Sequence, residues 1–283
     1  MSLLLLILQY GATVSQLPPE ILDRKSIEAR KSAQAAGPVL PSVRTAGCMD
    51  EMVSSPAAGA IAAQNALDRA QGAERVRAGL CLGAALGAME RWDEARAAFL
   101  RARDSAGPAN FASRARLGAM AGNAALAGGS ADVALPILDT AQADVKIAKD
   151  TELLGTIAID RARALVALGQ QDQAAQALAD ARVAVPGNPQ AWLLSATLSR
   201  RQNKLAEAQA QIERAAQLAP RDPEIGLEAG VIAVLAGRED AARKSWQSVV
   251  AGTPDSEAAK TAKGYLAQLD ANPAEANPGA AKP

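Results

Sequence analysis

The chain has 283 residues, 30 Lys and Arg against 30 Asp and Glu, 49% apolar residues and only 2% aromatics. That balance gives no bulk attraction for nucleic acid or anionic lipid, so neither is expected as a partner. The absence of histidine and the presence of only two cysteines exclude Ser-His-Asp and Cys-His catalysis and a four-thiolate zinc site.

No Gly-x-x-x-x-Gly-Lys-Ser/Thr loop or Gly-x-Gly-x-x-Gly turn occurs, so no cofactor is expected. The apolar content is mostly alanine and leucine, which favour helix, and no run alternates with strand period. An all-α chain is predicted.

Residues 3–8 are an unbroken run of leucine and isoleucine, followed by small residues near Thr13 and Ser15. The run is too short to span a membrane as a helix. It reads as a secretory signal over residues 1–15, cleaved before Gln16, which would make the mature protein periplasmic or secreted. No basic residue precedes it, and the alternative is an apolar N-terminus on a cytoplasmic chain. Residues 16–56 read as a linker with a short helix over about 19–35. The basic residues Arg24, Lys25, Arg30 and Lys31 alternate there with Glu20, Asp23 and Glu28, the pattern of a solvated helix face.

Residues 57–71 read as the second helix of a pair, with Ala63, Leu67 and Ala70 at helical spacing. Helix pairs follow over about 76–109 and 115–148. The first turns at residues 91–95 and continues with Ala95, Phe99 and Ala102. The second turns at Gly128-Gly129 and continues with Ala134, Leu138 and Ala141. Pro136 lies inside that second helix and predicts a bend or a shifted start. The residues near 145–151 exceed the regular length and predict a loop or a longer helix.

From residue 155 to 256 the spacing is exact. Pro186, Pro220 and Pro254 stand 34 residues apart, as do Gly169, Asn203 and Gly237, Ala174, Ala208 and Ala242, and Leu178, Ile212 and Trp246. The units are 155–188, 189–222 and 223–256. In the middle one a helix starts at Pro189, where a missing N–H is harmless. Trp192, Ser195, Ala196 and Ser199 follow on one face, and Asn203 takes the turn. Leu205, Ala208, Ile212, Ala215 and Leu218 make an apolar stripe before Pro220 ends the second helix. Such a pair cannot bury both faces alone and must stack on its neighbours. Residues 257–269 read as one more helix, with Lys260, Lys263 and Gln268 as its polar face. Residues 270–283 have few large side chains and predict a disordered tail.

A 34-residue period of small residues, one bulky residue and a closing proline resembles the tetratricopeptide repeat family, and the resemblance covers residues 57–269. Leu82-Gly83, Trp192 and Gly230 match parts of that family's first-helix start, while Leu165, Ser199 and Ala233 occupy its tyrosine position. The resemblance implies a helical solenoid of antiparallel pairs wound into a right-handed superhelix, closed by a C-terminal capping helix. It also implies a non-enzymatic scaffold that binds another protein or peptide along a concave groove lined by the first helices. A cytosolic adaptor or a carrier of small molecules or lipid is the alternative.

Carried over by position, the exposed inner-face residues are Arg77, Arg116, Asn123, Arg163, Thr197, Arg200 and Glu224. Asn123 and Arg163 then fix a peptide backbone or carboxylate through charge-assisted hydrogen bonds; on the other reading Arg163 simply pairs with Asp160 or a neighbouring unit. The subgroup that clamps a C-terminal carboxylate uses positions that hold Leu80, Ala84, Met120 and Asn123 here. Its full set is absent, so chaperone-tail binding is not implied. Cys48 and Cys81 are 33 residues apart, which suits equivalent positions on adjacent first helices. A disulfide there, in an exported chain, would contribute roughly 3–4 kcal/mol on the chain-entropy model. Two buried thiols packing as small apolar groups suit a cytosolic chain.

Overall fold

A computed structural model describes residues 55–271. The candidate signal peptide, most of the linker, Cys48 and nearly all of the C-terminal tail lie outside the described residues. The described residues form twelve α-helices and no strand. They fall into two compact units, one ending at Val185 and one starting at Pro186, taken in turn below.

The N-terminal unit holds α1 (Pro56–Arg69), α2 (Gly72–Ala88), α3 (Trp92–Ser105), α4 (Phe111–Ala127), α5 (Ala131–Ala148), α6 (Thr151–Ala167) and α7 (Gln171–Ala184). The C-terminal unit holds α8 (Pro189–Arg201), α9 (Leu205–Leu218), α10 (Pro223–Leu235), α11 (Glu239–Gly252) and α12 (Glu257–Ala271). Helices pack in sequential pairs: α2 with α3, α4 with α5, α6 with α7, α8 with α9, α10 with α11.

Local chemistry sets the boundaries. Ser55 caps α1, Asn110 caps α4 and Asp150 caps α6 by accepting from N–H groups of the first turn. Asn188 and Asp222 do the same for α8 and α10, each followed by a proline at the first helical position. Every turn inside a pair passes through one residue with positive φ: Glu90, Gly129, Gly169, Asn203 and Gly237. The next N–H then reaches back to a carbonyl five residues earlier, for instance Arg91 to Leu86 at 3.0 Å and Gln170 to Leu165 at 2.8 Å. This closes the helix end by the Schellman pattern. Three of these residues are glycine, for which the conformation is free. Glu90 and Asn203 adopt it with a side chain.

The bend expected over residues 91–95 lies slightly earlier. The chain turns at Glu90, and Trp92 already begins α3. Pro136 neither breaks nor shortens its helix: α5 runs on through it from Ala131. The residues in excess of the regular period become helix rather than loop. α5 extends to Ala148 before Lys149 stops it in the left-handed region. The first helices α2, α4 and α6 each have 17 residues, against 13 in α8 and α10. They begin about one turn before the repeat starts read from sequence at residues 76, 115 and 155.

Each pair is locked by a small residue on the first helix facing a large one on the second. A Cβ added to Gly83 would lie 2.5 Å from the Phe99 ring, and one at Gly122 would lie 2.5 Å from Leu138. At Gly230 the indole of Trp246 fills the space, with its Nε1–H donating to the Leu227 carbonyl at 3.1 Å. Ala162 and Ala196 hold the same position opposite Leu178 and Ile212, all buried. Alanine on most core positions lets helices approach closely, so the core is built with few aromatics. α12 closes the C-terminal unit by burying Ala258, Ala259 and Ala262 and setting Tyr265 against Trp246, with ring centroids 5.0 Å apart. Lys260, Lys263 and Gln268 stay exposed. The helix reaches Ala271, two residues into the stretch expected to be tail.

Candidate protein-interaction face

The first helices of the N-terminal unit place four of the sequence-derived residues on α2, α4 and α6. Asn123 on α4 and Arg163 on α6 converge on one carboxylate. Asn123 Nδ2 donates to Asp160 Oδ2 at 2.6 Å, and Arg163 Nη1 donates to Asp160 Oδ1 at 2.6 Å. The Asp160 side chain is 2% exposed, whereas that of Arg163 is 23% exposed. Burying a carboxylate is tolerable only with donors of this kind. The two residues expected to meet a ligand therefore first stabilise the protein itself.

Their donor capacity is not used up. A guanidinium carries five N–H groups and an amide carries two plus a carbonyl. Arg163 uses its Nη1 on Asp160, and Asn123 its Nδ2. The result is a preorganised, charge-balanced cluster whose outer edge offers further hydrogen bonds. Arg116 is half-buried near Asp150 at 3.8 Å, and Arg77 is partly exposed near Glu74 at 3.7 Å. Both pairs are long, so these two cations are loosely held.

In the C-terminal unit, Thr197 and Glu224 are half-buried. Arg200 departs from expectation. It was expected on the exposed inner face, yet it is buried, donating through Nε to Glu228 Oε1 at 2.6 Å and through Nη2 to Glu228 Oε2 at 3.4 Å. Its register on α8 aims the long side chain at α10, where a carboxylate awaits it. Arg200 is a structural link and leaves the set of candidate ligand contacts. Tyr265 lies near the same pair, and burial pushes its phenol up from the ordinary value, with Arg200 opposing and Glu228 adding to the shift.

Sequence reasoning passed over Glu228 and Asp144. Asp144 is buried on α5 and is met by Arg103 Nη2 at 3.0 Å and Arg114 Nε at 3.6 Å. A signal for Glu228 exists in the sequence. Asp160 and Glu228 each stand two residues before the small packing residue of a first helix, Ala162 and Gly230, and 68 residues, two full periods, separate them. An acid on the packed side of a repeat helix demands a buried donor.

No group of three or more metal-ligating side chains occurs among the described residues, and no described helix is long and apolar enough to cross a membrane. An open depression of about 610 Å³ lies where Gly72 and Ala73 face the loop from Ser105 to Asn110. Its polar side chains are engaged locally: Ser105 donates to the Arg101 carbonyl and Asn110 caps α4.

The family model of the tetratricopeptide repeat matches residues 156–198, and the helix pairs with their glycine-to-large packing repeat on both sides of that stretch. Residues 156–198 thus carry a tetratricopeptide repeat, and the described helix pairs share the fold of solved tetratricopeptide-repeat structures. Solved structures of similar fold include PilW, described as a widely conserved type IV pilus biogenesis factor, with TM-score 0.62, 18% identity and coverage of 76% of this chain and 94% of that one. They also include pilF of Pseudomonas aeruginosa, with TM-score 0.59, 15% identity and coverage of 74% and 90%. YrrB, described as a tetratricopeptide protein with an unusual peptide-binding site, aligns with TM-score 0.51 and 17% identity over 72% and 99%. At these identities the likeness is one of fold. None of the curated proteins matches the chain in sequence.

Proposed function

We propose that this protein is a non-enzymatic tetratricopeptide-repeat scaffold that holds a segment of another protein against the first-helix face of its N-terminal unit, and that it works in the bacterial cell envelope. The observation that carries the reading is the Asn123–Asp160–Arg163 cluster. It sets two hydrogen-bonding side chains rigidly on adjacent first helices and leaves one edge of Arg163 open to solvent. Rigid donors bind with less ordering penalty than mobile ones. The envelope location draws support from the apolar run at residues 3–8, from the cysteine pair, and from the fold shared with PilW, described as a type IV pilus biogenesis factor.

Removing Asn123 and Arg163 alone would strand Asp160, so a binding test needs a variant that keeps the cluster satisfied. Asp160→Asn with Arg163→Gln preserves neutral hydrogen bonding and removes both charges. Pull-down from envelope extracts should recover a discrete protein with the native chain and markedly less of it with this variant, at a similar melting temperature. Equal recovery by both would move recognition away from this cluster.

A further inference from the structure

The chain as a whole is neutral, but in the N-terminal unit charge is sorted by helix. The first helices α2, α4 and α6 carry six arginines and three acids. The second helices α1, α3, α5 and α7 carry six bases against nine acids. An excess of three positive charges on one set is matched by an equal negative excess on the other. The first helices of the C-terminal unit show no such excess: α8 holds Arg200 and Arg201, and α10 holds Glu224 and Glu228. The neutral total therefore hides a positive local field on the first helices of the N-terminal unit.

That charge is concentrated on α2 and α4. Arg75 and Arg77 stand four and two residues before Gly79, and Arg114 and Arg116 stand four and two before Gly118. Both glycines play the same packing role, an added Cβ falling 2.7 Å from Ala102 and 3.0 Å from Ala141, so the two arginine pairs share one register. Among the described residues, none of the four is held by a carboxylate at hydrogen-bond distance. Arg75 donates to the Leu67 carbonyl at 3.2 Å, a partner without charge. Arg103 takes Asp144 at 3.0 Å and leaves Arg114 3.6 Å away, with its buried Nε lacking an acceptor. The side chains of Arg77 and Arg116 are 42% and 37% exposed and reach acids only at 3.7 and 3.8 Å. Asp150, the acid beside Arg116, already caps α6 through its other oxygen. Arg116 and Asn123 are seven residues, two helical turns, apart on α4. Both reach α6, one at its cap and one at Asp160. Arg116 and the Asn123–Asp160–Arg163 cluster thus share a face, with Arg77 at the matching position of α2.

We infer that the segment held on this face is acidic, a stretch of another protein whose carboxylates meet Arg77, Arg116 and the open edge of Arg163. The inference rests on the reading of this face as the recognition surface and adds the chemistry of what it takes. A guanidinium and a carboxylate pair through two parallel hydrogen bonds, so a ligand carboxylate can replace the long contacts that Arg77 and Arg116 make within the chain. An excess of three charges, cancelled on the second helices, is too small to hold a polyanion such as nucleic acid, whose binding depends on the number of phosphates neutralised. It suits a short acidic stretch.

The test uses the full chain and a displayed library of random linear peptides. Enriched sequences should be rich in Asp and Glu. A synthetic peptide of that composition should bind in fluorescence anisotropy, and its Asn and Gln counterpart should not. Binding should weaken as salt rises, because screening shortens the reach of exposed charges from about 10 Å at 0.1 M to about 3 Å at 1 M. Arg77→Glu with Arg116→Glu should weaken the acidic peptide by about tenfold or more at an unchanged melting temperature. Arg77→Lys with Arg116→Lys, which keeps the charge, should lose much less. A library that enriches no acidic sequence, or an acidic peptide that binds the Glu variant equally well, would overturn the inference. Where neutral or basic peptides bind instead and slow hydrogen exchange along α2, α4 and α6, the face stands as the recognition surface for a different ligand. Where they slow it only along α3, α5 and α7, that reading falls as well.

Discussion

Arg200 donates to Glu228 across two successive first helices at 2.6 Å, and their side chains are only 3% and 10% exposed. A buried pair of this kind adds little compared with well-packed apolar groups, but losing one partner leaves an uncompensated charge. Arg200→Met should therefore destabilise the protein by about 3–5 kcal/mol. Arg200→Met with Glu228→Leu should recover much of that loss. Denaturant titration of the two variants checks it, and equal loss in both would mean that packing, not charge, holds α8 to α10.

Asp160 makes a parallel case. Replacing both Asn123 and Arg163 by alanine removes both hydrogen bonds to a carboxylate that is 2% exposed. The double variant should lose about 3–5 kcal/mol, and adding Asp160→Ala should restore part of it. Thermal melts of the double and triple variants read this directly.

Glu90 holds φ at 60° in the turn between α2 and α3, where the equivalent turns use Gly129, Gly169 and Gly237. A side chain in that region carries a penalty of roughly 1–2 kcal/mol that glycine avoids. Against that stands glycine's greater freedom in the unfolded chain. Glu90→Gly should be neutral to stabilising by up to about 1 kcal/mol, in contrast to the usual effect of introducing glycine. A clear drop in melting temperature would show that the Glu90 side chain contributes contacts that outweigh its backbone strain.

Gly230 sits against Trp246, whose indole is fixed by its bond to the Leu227 carbonyl and by Tyr265. Gly230→Ala should destabilise by about 1–3 kcal/mol through overpacking, offsetting the gain of about 1 kcal/mol that alanine brings to a helix. Gly264→Ala, where an added Cβ meets nothing within 4 Å, is the matched control and should stabilise.

Much of this architecture is legible in the sequence because it is written in backbone chemistry. Asn188-Pro189 and Asp222-Pro223 mark helix starts, and Gly169, Asn203 and Gly237 mark turns. Small residues facing Leu178, Ile212 and Trp246 mark the packing. Where a position breaks the local rule, the reading falters. Glu90 does not look like a left-handed turn residue, so the α2–α3 turn was read as starting one residue late. Pro136 does not announce that α5 continues through it.

The polar sites were harder for a different reason. An arginine at an inner-face register is the same letter whether it faces water or a buried acid, and only the partner decides. Arg163 proved to do both. Arg200 proved wholly internal because Glu228 lies within its reach on α10. The partner residue is 28 positions away in sequence, beyond any helical periodicity that local reading uses.

The central claim is that the first-helix face of the N-terminal unit is the recognition surface. A photo-crosslinking residue placed at Arg77 or Arg116 tests it most directly, with Val183, 82% exposed on the second helix α7, as the control site. In cells, both first-helix positions should crosslink to the same discrete protein, and Val183 should not. Crosslinks to that protein from Val183 but not from Arg77 or Arg116 would contradict the account and place recognition on the opposite face.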